Sequence, residues 1–117
     1  MLFRSDAVTA ACALIDASLF RDLGGCSEDY IIGDFEDSDM CLRASSRGHR
    51  NYIALDVELY HLERQSQNRA GDVMWRTNLT AYNCWLHSQR WADYIERKFE
   101  ARRSVPPPGP AVPKSMP

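Results

Sequence analysis

The alternation of apolar and polar positions divides the chain into segments of different character. The first, Val8 to Ile15, is a run of small and branched apolar residues, which is typical of a central β-strand buried on both faces. Asp16 then predicts the N-cap of a short helix, and Gly24-Gly25 predicts its end. The apolar face of that helix is expected to carry Leu19, Phe20 and Leu23.

The next segment combines a surface loop with a second helix. Residues Cys26 to Phe35 mix aromatic and acidic side chains and predict a loop over the protein surface. A helix is expected from about Asp37 to Arg47, with Gly48 placed to end it. Asp39 and Arg43 are four residues apart in this helix, a spacing that favours an ion pair.

The rest of the chain predicts two extended segments and then helices. Residues 51–55 and 57–61 are expected to be extended, the second ending at His61. Beyond Asp72, apolar residues recur at helical spacing in two sets, Trp75, Leu79, Tyr82 and Leu86, then Trp91, Ile95 and Phe99. We interpret them as two amphipathic helices with a break after Ser88-Gln89-Arg90, the first set packing into the core. Residues 72–103 thus form trailing helices, and the Pro-rich residues 104–117 are expected to be a disordered tail.

Composition narrows the class of protein. The chain has 117 residues, 44% of them hydrophobic, and a net charge of -2, which indicates one small domain and gives no basic excess for nucleic acid. No apolar run is long enough for a secretion signal or a membrane span. The four cysteines form no Cys-x-x-Cys pair, which favours reduced, mostly buried thiols. We therefore expect a cytoplasmic location, with the cytoplasmic face of a membrane as the alternative.

The candidate chemistry lies in the run from Gly33 to Arg43 and in His61. Three carboxylates, Glu36, Asp37 and Asp39, crowd the start of the predicted helix. Their mutual repulsion is tolerated more readily where a proton or a cation is handled. Two plainer interpretations stay open: the helix dipole favours acidic residues in a first turn, and His61 is a structural histidine. His49 and His87 are both expected to be surface residues.

Several short motifs follow one another in an order that is similar to that of a known family. They are Val8 to Ile15, Phe20 to Gly25, Glu28-Asp29-Tyr30, Glu36 to Arg43, Gly48, and His61 with Ser66. Together they resemble the C-terminal half of a family 2 glycosyltransferase, over roughly Val8 to Ser66, and Tyr82-Asn83 with Trp91 is more loosely similar to the family's trailing helices. The resemblance implies an α/β fold, a partial GT-A (Rossmann-like) mixed sheet with flanking helices, in which residues 1–71 are the acceptor-side half. The nucleotide-binding half and its Asp-x-Asp motif are then expected to be missing, so that this chain is inactive alone.

The resemblance also implies roles for individual residues. Asp37 matches the catalytic base, while Glu36 and Asp39 would bind the acceptor or support the base. Ala11 and Cys12 lie in the small-residue stretch beside the donor sugar and the acceptor. His61 would complete the coordination of Mn²⁺ or Mg²⁺, and Ser66 would contact phosphate. The literal Asp37-Ser38-Asp39 is not the missing metal motif, because residues two apart on a helix point roughly 200° apart.

Three functional hypotheses follow. The first is an inverting, metal-dependent transfer of a sugar from a nucleotide-sugar donor to a glycan or glycolipid acceptor in polysaccharide assembly. The second is a non-catalytic, truncated module that binds a partner through an exposed sheet edge. The third, a metal hydrolase that uses Asp37, Asp39 and His61, lacks further ligands and ranks last. Peripheral membrane association and the oligomeric state are left open.

Overall fold

The computed structural model describes residues 1–60 and 73–104 and has a mixed α/β architecture. The elements in chain order are β1 (Leu2–Ser5), α1 (Ala17–Asp22), α2 (Glu36–Ser46), β2 (Asn51–Ala54) and α3 (Val73–Arg103). A short 3-10 turn, Ala10–Cys12, lies between β1 and α1. Apart from Ser104, the predicted tail, residues 104–117, lies outside the described residues, as do residues 61–72.

The sheet of the described residues is a two-stranded antiparallel pair. Leu2 lies opposite Ala54 and Ser5 lies opposite Asn51, so the two strands are in full register. β2 confirms the extended segment predicted at residues 51–55. The described part of the second predicted segment, residues 57–60, forms no strand. β1 has no counterpart among the strands predicted from the sequence.

The central strand predicted at Val8 to Ile15 is wrong. Instead, Thr9 caps the 3-10 turn at Ala10–Cys12 through a bond from the Ala11 amide, and Leu14 is fully exposed. A strand buried on both faces needs neighbouring strands and a covering layer on each face. Among the described residues, the two strands present pair only with each other. The apolar run therefore has no free strand to pair with in the part of the chain that the structure describes.

The first helix forms as its sequence predicts. The Asp16 carboxylate accepts hydrogen bonds from the amides of Ser18 and Leu19, both at 2.9 Å, and so satisfies two free donors of the first turn of α1. After the last turn, Gly24 adopts a φ of +79°, a left-handed conformation that costs glycine little.

The second helix, α2, is also predicted to within one residue at each end. Its last turn closes at Gly48, which has a φ of +88°, while the His49 amide donates to the Ala44 carbonyl at 3.0 Å. The predicted pair is present, with Arg43 Nε at 2.7 Å from Asp39 Oδ2. At the other end, the N-cap residue Phe35 makes no side-chain capping bond.

The third helix, α3, is continuous, so the predicted break after Ser88-Gln89-Arg90 is wrong. The helix has 31 residues, which corresponds to a length of about 46 Å. Neither glycine nor proline interrupts it, and the Ser88 hydroxyl donates to the Cys84 carbonyl one turn back, at 2.9 Å. The two apolar sets mark a shift of the apolar positions around one continuous helix.

The packed core is small and lies between α1 and α2. Leu23, Met40 and Ala44 are buried together, with Ile15 and Leu19 partly buried against them. The stripe on α3 that was predicted to pack into the core is only partly covered, because Trp75 and Tyr82 remain 43% and 39% exposed.

Ion pairs hold the C-terminal end of α3. Lys98 and Arg102 form ion pairs with Asp6, at 3.1 and 2.7 Å, and so attach the end of α3 to the chain just after β1.

All four cysteines are free thiols, as expected, but Cys12, Cys26 and Cys84 are exposed rather than buried. In the described part of the chain, no helix is long and apolar enough to span a membrane.

Candidate functional site

One face of α3 lies along the acidic segment Ile31 to Asp39 and contacts it at every turn. The contacting side chains of α3 are spaced three and four residues apart, which places them on one helix face. They are Thr80, whose hydroxyl donates to Asp34 at 2.9 Å, Asn83, His87 near Ser38, and Trp91 near Asp39. The acidic segment is therefore held by a row of polar side chains from a helix distant in sequence.

Asn83 is the most deeply buried member of this row, with an exposed fraction of 0%. Its Nδ2 donates to the carbonyls of Ile31 and Gly33, at 3.0 and 2.6 Å. Its Oδ1 accepts the Ile31 amide at 3.0 Å. Both side-chain donors and the side-chain acceptor are thus used on the backbone of one loop.

That loop has an unusual backbone. Four consecutive residues have positive φ: Ile32 at 62°, Gly33 at 108°, Asp34 at 70° and Phe35 at 76°. A branched residue such as isoleucine rarely adopts this conformation, and a non-glycine residue in a sparsely populated region costs about 1–3 kcal/mol. The hydrogen bonds from Asn83 and Thr80 stabilise the loop in this positive-φ conformation.

Asp39 is a buried structural carboxylate, only 1% exposed. Its Oδ1 accepts the Tyr30 hydroxyl at 3.2 Å and the Trp91 indole Nε1 at 2.8 Å, and its Oδ2 accepts Arg43. The same guanidinium also donates to the carbonyls of Leu23 and Gly25. Of the two roles implied for Asp39, this geometry fits the supporting one, because both carboxylate oxygens are already bonded to Tyr30, Trp91 and Arg43.

Tyr30 is fixed as a hydrogen-bond donor by its surroundings. Burial, and then the nearby charge of Asp39, raise the pKa of the Tyr30 hydroxyl to about 12. The hydroxyl therefore keeps its proton near neutral pH and donates to the carboxylate.

Asp37 lies on the other side of α2 from Asp39 and is half-buried. Its Oδ2 accepts the backbone amide of Ala10 at 3.1 Å, and its Oδ1 accepts the amide of Ser38 at 2.7 Å. The carboxylate therefore lies against the Ala10–Cys12 turn, which carries the predicted site residues Ala11 and Cys12, both exposed. The structure thus joins two sequence motifs that are 27 residues apart.

Glu36, beside Asp37, has an unusual environment. Its Oε2 is buried without a hydrogen-bond partner among the described residues. Burial raises the pKa of the Glu36 carboxyl, and the neighbouring charges of Asp37 and Asp34 raise it further, against the lowering effect of its own backbone amide. Glu36 therefore binds a proton more readily than an ordinary glutamate.

His87 is a member of the site that the sequence analysis missed. It was expected on the surface, but it is half-buried, with Nε2 at 3.0 Å from Ser38 Oγ and its ring centroid 5.2 Å from that of Phe35. Burial lowers the pKa of His87, while the charges of Asp39 and Asp37 oppose this effect. The i,i+4 spacing of Asn83, His87 and Trp91 is the sequence signal that points to it.

The metal site implied by the resemblance is not assembled by the described residues. His61 and Ser66 lie outside them. In residues 1–60 and 73–104, no three His, Cys, Asp or Glu side chains converge in a way that would hold a metal ion. Asp37 and Asp39 make their contacts on different sides of α2, as expected for residues two apart on a helix.

An open cleft of about 440 Å³ lies beside the buried carboxylate of Asp39. Its lining residues are Ser27, Asp39, Arg43, Arg90 and Trp91. The charges are paired, because Arg43 bonds Asp39 and Arg90 bonds Asp29. The cleft therefore offers no uncompensated charge to a ligand.

Comparison with known proteins finds a relative that is much longer than this chain. No model of a known protein family and no solved structure matches the chain. A protein of Sinorhizobium fredii (strain NBRC 101917 / NGR234), described as "Uncharacterized protein y4gI", is 30% identical to it over 101 residues. The aligned part covers 86% of this chain and 10% of that protein, so the chain spans about a tenth of the relative's length.

Proposed function

We propose that the chain is the acceptor-side, catalytic-base portion of an inverting family 2 glycosyltransferase with a GT-A type fold. It would act on a nucleotide-sugar donor and a glycan or glycolipid acceptor, in the cytoplasm or at the cytoplasmic face of a membrane. The observation that carries the proposal is the 3.1 Å bond between Asp37 Oδ2 and the Ala10 amide. It brings the proposed base to the small-residue turn where the resemblance expects both substrates.

The chemistry requires a carboxylate that an acceptor can reach. An acceptor hydroxyl is a weak nucleophile, and a base within hydrogen-bond distance takes its proton as the oxygen attacks the anomeric carbon. The new glycosidic bond forms as the bond to the nucleoside diphosphate breaks, with inversion. Asp37 is half-buried and bonds the Ala10 amide at the start of the turn that carries the exposed Ala11 and Cys12, whereas Asp39 is only 1% exposed. Asp37 therefore suits the base, and Asp39 suits a supporting role.

The metal ion belongs to the proposal by resemblance alone. Mn²⁺ or Mg²⁺ would stabilise the charge that grows on the departing diphosphate. The described residues supply no set of ligands for it, and His61 and Ser66 lie outside them. The steps assigned here to Asp37 therefore do not pass through the metal. Within the same proposal, donor binding is supplied by sequence beyond this chain, so that the chain alone transfers no sugar.

A second candidate is a non-catalytic binding module. It is favoured by the apolar surface of the small sheet, where Leu2 and Phe3 are 67% and 58% exposed and their neighbours Tyr52 and Ile53 are 44% and 40% exposed. Exposed apolar strands pair readily with another chain. In this alternative the sheet would bind a partner and Asp37 would have no chemical role.

A chimera tests the first proposal against the second. The whole chain replaces the acceptor-side half of a characterised family 2 glycosyltransferase, and sugar transfer is measured with that enzyme's donor and Mn²⁺. Transfer by the chimera supports the glycosyltransferase. A chimera that folds and binds the donor but transfers nothing contradicts it. A free chain that is folded and monodisperse in size-exclusion chromatography would then favour the binding module.

A further inference from the structure

We propose that Asn83 is a positioning residue for Glu36 and Asp37: its side-chain amide holds the loop Ile31 to Phe35, in which residues 32–35 have positive φ, and thereby sets where the two carboxylates point. The inference rests on the proposed function, because it names the residue that fixes the proposed base. The bonds of Asn83 go to the backbone of Ile31 and Gly33, so it acts on Asp37 through the loop.

The start of α2 has no side-chain N-cap. Its N-cap residue, Phe35, makes no side-chain capping bond and has a φ of 76°. The position of the first turn therefore depends in part on the loop that enters it. Asp37 follows Phe35 by two residues, so a displaced loop would displace its carboxylate.

Asn83 is the side chain that grips this loop most completely. It makes three hydrogen bonds to the backbone of Ile31 and Gly33, all between 2.6 and 3.0 Å, from a fully buried position. Asparagine is a poor residue for a helix interior, so its presence within α3 is explained by what its side chain binds. A planar amide offers two donors and an acceptor at once, which matches the two carbonyls and one N–H of the loop.

One turn further along α3, His87 contacts the other end of the same segment. Its Nε2 lies 3.0 Å from the hydroxyl of Ser38, the residue after Asp37. Asn83 therefore binds the chain just before Glu36 and Asp37, and His87 contacts it just after them. Through these two contacts α3 restrains the position of Asp37, and the buried Asn83 makes most of the hydrogen bonds.

The test compares Asn83→Ala with Asn78→Ala, a matched control that removes an exposed asparagine from the same helix. Two readouts need no enzymatic activity: hydrogen exchange of the Ile31 amide, and titration of the Glu36 carboxyl by ¹³C NMR. Loss of the bond to Asn83 Oδ1 should speed exchange at Ile31 about tenfold. Release of the loop should hydrate Glu36 and return its raised pKa towards the ordinary value. Asn78→Ala should change neither.

A folded Asn83→Ala protein with unchanged exchange at Ile31 and unchanged titration of Glu36 overturns the inference. If Asn83→Ala does not fold, the unmodified chain decides: Ile31 protection similar to that of mid-α3 amides supports the inference, and exchange at the rate of a free loop overturns it. In the chimera, Asn83→Ala should lower kcat and leave the donor KM unchanged. A chimera without transfer, combined with a loop released by Asn83→Ala, refutes the proposed function and leaves the positioning role standing.

Discussion

The indole Nε1 of Trp91 lies 2.8 Å from Oδ1 of Asp39, although 52 residues separate them in the chain. The other oxygen of this buried carboxylate accepts Arg43 at 2.7 Å. The bond joins α3 to α2 through a carboxylate that is only 1% exposed. The acidic cluster therefore contains two kinds of carboxylate: Asp39 holds the helices together, and Asp37 remains accessible for chemistry.

Asp39→Ala should destabilise the fold severely. The substitution leaves the Arg43 guanidinium without its buried partner, and removing one member of such a pair costs about 3–5 kcal/mol. This is a large part of the roughly 5–15 kcal/mol that stabilises a typical domain. Urea denaturation followed by circular dichroism measures the loss. Asp93→Ala, which removes an exposed carboxylate from α3, is the control and should leave the midpoint nearly unchanged. Equal midpoints for both variants would contradict the structural role of Asp39.

Gln89→Pro should disrupt α3 at its centre. Gln89 is exposed within a continuous helix, and a proline in a helix interior costs about 3 kcal/mol because it removes a hydrogen bond and clashes with the preceding turn. The helical signal in circular dichroism and the urea midpoint should both fall, whereas Gln89→Ala should preserve them. A proline variant as stable as the alanine variant would restore the break that the apolar pattern predicts.

Local sequence signals predicted the helices well, and long-range contacts account for what they missed. The Asp16 cap, the Gly24 end and the Asp39–Arg43 pair act within one or two turns, and all three are present. The strand predicted at Val8 to Ile15 failed because a strand depends on partners elsewhere in the chain. The break predicted in α3 failed because a shift of the apolar face does not by itself end a helix.

The same distinction applies to the candidate site. Glu36, Asp37 and Asp39 stand together in the sequence, so their clustering was evident, but their different environments depend on distant residues. The Ala10 amide that Asp37 binds is 27 residues away. His87 was missed because its partner Ser38 is 49 residues away and nothing local marks the ring as half-buried. Residue spacing on α3 was the one available sign.

His87 should make stability depend on pH below its ordinary pKa of 6.5. Burial lowers the pKa of the folded-state imidazole, and the facing carboxylates of Asp39 and Asp37 only partly offset this. Between the two pKa values the unfolded chain binds more protons, so stability is present above 6.5 and is lost as pH falls through the folded-state pKa. Urea midpoints at pH 7.5 and 5.5 measure this loss.

The matched variants for this pH effect are His87→Gln and His49→Gln, since His49 is exposed. The first should reduce the fall in midpoint between the two pH values, because glutamine does not titrate and still reaches Ser38 with a polar group. The second should keep the full fall. The opposite pattern, or equal falls in both variants, would show that the buried imidazole does not carry the pH dependence.

Asp37→Asn should remove sugar transfer from the chimeric enzyme while donor binding persists. A positioned general base typically contributes about 10²–10⁴-fold to the rate, and asparagine keeps the shape and one acceptor for the Ala10 amide but cannot take a proton. The loss should therefore appear in kcat, with little change in the donor KM or the denaturation midpoint, because the interaction serves only the chemical step. Asp93→Asn, an equal change of charge on an exposed part of α3, should retain full turnover. Full turnover by Asp37→Asn would exclude Asp37 as the base, and a large fall in the midpoint would instead assign its carboxylate to anchoring the Ala10–Cys12 turn.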